Sequence, residues 1–152
     1  MVAFNHSQQL VYFYRSKQEQ GILDSDFDLL ETCRVEGNPL FLSEIIDFFI
    51  KDTDEKMEEL TRFMSVETDD FNFSKIDQVA HNIKGCSASI GGCRVALACQ
   101  EFHQACNHKS KEECLSIFRK VKQEYKILHD TLTQMRQMDK AKHGGGSSSS
   151  EN

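Results

Sequence analysis

At 152 residues the chain is long enough for one compact domain and too short to favour two. A single proline, no tryptophan and an abundance of Lys, Glu, Gln, Leu and Met, with hardly any strand-like alternation, give an all-α class and disfavour a sheet. Eighteen Lys and Arg against 24 Asp and Glu leave a net charge of -6, and the longest apolar runs are broken by charge well short of a membrane span, so neither a nucleic acid nor a membrane is expected as a partner.

The N-terminal "MVAFNHSQQL" has neither the basic start nor the apolar run of a signal peptide, and the chain is expected to be soluble and intracellular. A first short helix is predicted from about Ser7 to Lys17, with Leu10, Val11, Phe13 and Tyr14 among polar neighbours and Gly21 as punctuation. In "LDSDFDLLETCRVEG" a second helix takes Asp24 or Ser25 as N-cap, turns Phe27 and Leu30 inward and stops at Gly37. Pro39, a favoured first helical residue, opens a long third helix ending near Ser65, in which Leu42, Ile46, Phe49, Thr53, Met57, Leu60 and Met64 recur at steps of three and four.

After the acidic break "VETDDFNF", Ser74 is read as the cap of a fourth helix that runs to Ile90 and is ended by Gly91 and Gly92. A fifth, from about Cys93 to Asn107, has Val95, Ala98, Cys99, Phe102 and Cys106 on one stripe. The sixth, from Ser110 to Met138 and so about 40 Å long, carries Leu115, Phe118, Val121, Tyr125, Leu128, Leu132 and Met135. Four amphipathic helices with short connections pack most simply as an antiparallel up-and-down four-helix bundle, the two additional N-terminal helices capping one end. Residues 1–140 form that single domain, and the Gly/Ser-rich 141–152 has nothing to bury and is expected to be disordered.

The fourth helix holds the most informative residues. Ile76, Val79, Ala80, Ile83, Ser87 and Ile90 fall on one side at about 100° per residue, which is the core side. His81 lies more than about a quarter turn away, with Asp77, Gln78, Lys84, Gly85 and Ala88 as wheel neighbours, and so faces water. A glycine inside a helix costs roughly 0.5–1 kcal/mol relative to alanine. At i+4 from His81, Gly85 gives something in return: with Ala88 beyond it, the imidazole stands in a clearing that another protein's surface can enter. Lys84, at i+3, brings a point charge suited to a phosphoryl group, and a neutral imidazole nitrogen is nucleophilic near neutral pH. The pattern reads as a phosphoacceptor His81 with Lys84 as phosphate support and Asp77, Gln78, Asn82, Gly85 and Ala88 shaping access and docking.

"AHNIKGCSASIGG" resembles the HxxKG motif of histidine-containing phosphotransfer (HPt) proteins, and the longer match is similar to the plant family that relays phosphate in cytokinin-type two-component signalling. The resemblance extends through "GILDSDFDLLE", "NPLFLSEIIDFFIKD", "CQEFHQACN" and "CLSIFRKVKQEYKIL". It implies an up-and-down helical bundle with no autonomous catalytic site. Such a carrier accepts a phosphoryl group on His81 from the receiver aspartate of a hybrid sensor histidine kinase and passes it to response-regulator receivers. It further implies no cofactor of the chain's own, magnesium being held by the receiver, and residence in cytoplasm and nucleus; a monomer is expected. Two positions depart from the family pattern: Asn82 stands where glutamine is common and Cys86 where serine is, both on the flank of the wheel away from Lys84. The alternative function is that of the family's pseudo-members, a non-phosphorylated helical adaptor that competes for receiver domains.

Three other patterns have simpler readings. Cys99, His103 and Cys106 are spaced as metal ligands on one helix face, but both thiols share the apolar stripe, so no metal site is assigned. The six cysteines (Cys33, Cys86, Cys93, Cys99, Cys106, Cys114) are expected to be reduced thiols. Phe41 and Phe48, beside the core stripe of the third helix, are expected to pack on the N-terminal helices or to form part of a receiver interface.

Overall fold

The computed structural model describes residues 6–36, 40–65 and 71–151, and the side chains among them except those of 6, 7, 31, 33–36 and 141–151. Their regular elements are six helices: α1 (His6–Glu19), α2 (Phe27–Glu36), α3 (Phe41–Met64), α4 (Phe73–Ser89), α5 (Cys93–Asn107) and α6 (Lys111–Glu151).

Local side-chain signals mark the starts of α2 and α4. Asp24 Oδ1 accepts the Asp26 N–H at 2.9 Å, which shapes the turn before α2, while the helix itself opens at Phe27, three residues beyond Asp24 and two beyond Ser25, the expected caps. The α4 cap is Asn72 rather than Ser74: its Oδ1 accepts the Lys75 N–H at 3.1 Å, the reach an N-cap side chain makes to the third helical residue. Ser74 is already the second helical residue, two positions past the cap. Gly37 and Pro39 lie outside the described residues, but α3 opens at Phe41 with Leu40 as its N-cap, two residues later than the expected start at Pro39. The backbone of α6 is helical beyond the predicted end at Met138, and the tail foreseen over 141–152 falls outside the described side chains.

Burial follows the apolar periodicity. All seven stripe residues of α3 are buried, as are the predicted stripes of α4 and α5, and together they form one continuous core with α6. At the start of α6 the stripe shifts by one residue: Cys114 is fully buried and Leu115 only half-buried against the core. Ser43 and Asp139 are buried as a polar pair between α3 and α6, the Ser43 hydroxyl donating to Asp139 Oδ2 at 2.8 Å.

Around the bundle α3 packs on α4, α4 on α5, α5 on α6, and α6 closes the ring on α3. Outside that ring α1 packs on α6 and α2 on α3, and the turn between them, with Phe27 at the start of α2, covers one end of the bundle. There the Asp24 N–H donates to the Gly91 carbonyl at 2.9 Å. Gly91, at φ +83°, and Gly92 let this corner close: a Cβ on Gly91 would sit 3.1 Å from both Asp24 Oδ1 and the Phe27 nitrogen, and one on Gly92 2.6 Å from Leu128 Cδ2. Among the described residues no helix is long and apolar enough to cross a membrane.

Candidate functional site around His81

Helix α4 turns Ala80 and Ile83 into the core, which leaves His81 and Asn82 on the outer surface between α3 and α5. Among the described residues no side chain hydrogen bonds to the His81 imidazole. Gly85 beside it is exposed, and a Cβ built there meets nothing within 4 Å. The space that the sequence assigned to glycine is therefore open in the fold.

The two flanks of His81 differ. Towards α5, Lys84 is half-buried and its ammonium donates to Gln100 Oε1 at 2.5 Å, while the Asp77 carboxylate lies 2.8 Å from His103 Nδ1. His103 in turn has Asn107 Nδ2 at 3.3 Å from its other ring nitrogen. Two of the wheel neighbours of His81, Lys84 and Asp77, are thus held by α5. Gln78 is exposed and Ala88 half-buried, and neither lines the groove described next.

Towards α3, His81, Asn82 and Gly85 share a shallow groove of about 440 Å³ with Cys86, Ser89 and Lys56. Asn82 and Cys86 lie on the flank away from Lys84, as the wheel implies. The Lys56 ammonium lies 2.5 Å from Asp52 Oδ2, and the Cys86 thiol approaches the same oxygen at 3.7 Å. Partial burial pushes the Cys86 thiol up from its ordinary pKa, Lys56 pulls it down and Asp52 adds to the rise, so the thiol rather than the thiolate faces the groove.

Asp52, Cys86 and Ser89 are also walls of a neighbouring apolar cavity of about 200 Å³, completed by Leu30, Ile45, Phe48, Phe49 and Ile90. Phe48 is 68% exposed, so it is not covered by the N-terminal helices. Phe41 is half-buried and lines neither space. A polar groove carrying the imidazole therefore continues into an apolar hollow, the makeup of a surface that meets another protein.

Sequence reasoning missed Lys56, Asp52 and Gln100, and it singled out His103 only in a metal-ligand pattern, not as the partner of Asp77. Asp52 and Lys56 were visible as an i, i+4 pair of opposite charge, but nothing in one helix says which other helix it will face. The Cys99, His103 and Cys106 pattern does not converge. Cys99 and Cys106 are buried in the core, where burial pushes the Cys99 thiol up to about 12, and His103 points to Asp77. Among the described residues no three His, Cys, Asp or Glu side chains cluster as a metal ion requires, and the five described cysteines are free.

Comparison with known proteins adds to this geometry. The model of the Hpt domain matches residues 44–138. Histidine-containing phosphotransfer protein 1 of Arabidopsis thaliana is 36% identical over 113 residues, covering 74% of this chain and 72% of the relative. Pseudo histidine-containing phosphotransfer protein 5 of Oryza sativa subsp. japonica is 32% identical over 124 residues, with 82% and 80% covered. The X-ray structure of a histidine-containing phosphotransfer protein from rice superposes with a TM-score of 0.84 at 29% identity, over 91% of this chain and 96% of that one.

Proposed function

The chain belongs to the Hpt domain family and is a histidine phosphotransfer protein of a multistep phosphorelay, and from that premise we propose that His81 is the residue that carries the phosphoryl group. The observation that supports this reading is the exposed imidazole, free of hydrogen bonds to described residues, beside a glycine whose missing side chain leaves the approach open. A nitrogen lone pair of His81 attacks the phosphorus of a receiver's aspartyl phosphate, the N–P bond forms, and the P–O bond breaks to return the carboxylate. In the reverse sense a second receiver's aspartate collects the group. Lys84 places its charge near the phosphate, and the receiver supplies the magnesium, which needs an acidic cluster that the His81 groove does not have.

The partners in this reading are receiver domains of a hybrid sensor histidine kinase upstream and of response regulators downstream, in cytokinin signalling, met by a monomeric carrier that works in cytoplasm and nucleus. They dock over the His81 groove and the hollow around Phe48. Incubation with a phosphorylated receiver and magnesium tests the assignment, with label followed on wild type and on His81→Gln. Acid-labile, base-stable label on the wild type alone is the expected result. Binding of several receivers with no label would instead favour the non-phosphorylated adaptor, the reading that the similarity to a pseudo family member keeps in view.

A further inference from the structure

Two lysines flank His81, and the HxxKG pattern contains only one of them. Lys84 stands on the α5 side with its ammonium on Gln100 Oε1, whereas Lys56 comes from α3 and lines the groove in which His81 itself stands. We propose that Lys56 is a second phosphoryl-binding residue, which exchanges Asp52 for the phosphoryl oxygens when a phosphate enters the His81 groove. This rests on the reading of His81 as the phosphoacceptor.

Three observations carry the inference. The groove over Gly85 is open, so a group on the imidazole has room on the side where Lys56 lies. The lysine is neither buried nor fully extended into water: its side chain is 24% exposed and rests on an Asp52 side chain 29% exposed. A carboxylate in such a half-exposed pair is a weak competitor, while a phosphoryl group offers up to about two negative charges and three acceptor oxygens. Lysine has a flexible stem and three donors, so it can swing from one anion to the other without moving α3. Released Asp52 keeps the Cys86 thiol as a neighbour at 3.7 Å.

A small phosphodonor tests this without receiver docking. With phosphoramidate, an imidazole nitrogen of His81 forms the N–P bond, the donor's P–N bond breaks, its nitrogen leaves as ammonia, and the other ring nitrogen gives up its proton to water. Labelling rates against phosphoramidate concentration should show the half-saturating concentration raised about fivefold in Lys56→Gln with the maximal rate little changed, restored in Lys56→Arg and lowered in Asp52→Asn. In the labelled protein, the phosphorus-31 resonance should titrate at higher pH in Lys56→Gln than in wild type, because a cation beside the phosphate is gone. Label on wild type with Lys56→Gln indistinguishable in both measurements overturns the inference alone. Wild type that takes no label at His81 overturns the phosphoacceptor reading and this inference together.

Discussion

Two glycines of the α4 region have opposite reasons for being glycine. Gly85 lies inside the helix with empty space around its Cα, so nothing in the fold requires it. Gly85→Ala should therefore stabilise the protein by about 0.5–1 kcal/mol, read as a higher urea midpoint. It should also slow transfer from a phosphorylated receiver, since the new methyl stands where the partner approaches. Unchanged transfer would remove the access argument. Gly91 is held at φ +83° with Asp24 and Phe27 packed against it. Gly91→Ala should cost at least about 1–2 kcal/mol from the left-handed backbone alone, and a midpoint equal to wild type would show that the corner relaxes freely. The sequence marked both residues, one as access and one as a stop, and the structure supplies what separates them: the neighbours of each Cα.

At the scale of the element, α4 is begun by one side chain and faced by three helices. Asn72→Ala removes the side-chain oxygen that caps α4 and should lower stability by about 1 kcal/mol, whereas Ser74→Ala should change it little; equal losses from both would put the cap back at Ser74. The same helix shares the apolar hollow with α2 and α3, and Phe48 on its rim is 68% exposed. Phe48→Glu should leave the urea midpoint almost unmoved, within about 0.5 kcal/mol, and should weaken transfer from receivers while leaving labelling by phosphoramidate intact. Normal transfer from several receivers would take Phe48 out of the interface. The stripes were legible because periodicity is a property of one segment, whereas the starts of α2 and α4 and the end of α6 fell elsewhere than expected. The hollow was not legible, because it belongs to three segments.

For the whole molecule, the buried thiols and Tyr125 make stability depend on alkaline pH. Burial raises Cys99 from 9.0 to about 12, and Cys106, Cys114 and Tyr125 are raised as well, first by burial and, for Tyr125, next by its hydrogen bond to Asp54. The unfolded chain loses these protons first, so the native state is favoured in full below about pH 9 and loses that advantage as pH climbs towards 12. Urea midpoints should fall between about pH 8 and about pH 10.5, with a shallower fall in Cys99→Ala. A midpoint flat with pH over this interval would contradict the buried, neutral state of these groups.

The sequence by itself determined the helical class, the core stripes, the start and end of α5 and the outward direction of His81, because each depends on the 3.6-residue repeat and on capping or breaking residues within a few positions of one another. Only the tertiary structure decided that Lys84 is held by Gln100, that Asp77 is held by His103 and that Lys56 of α3 shares the groove with His81. These pairings join residues 16 or more positions apart. The angular setting of one helix against the next fixes them, and that setting comes from the packing of the whole core, which no single segment encodes.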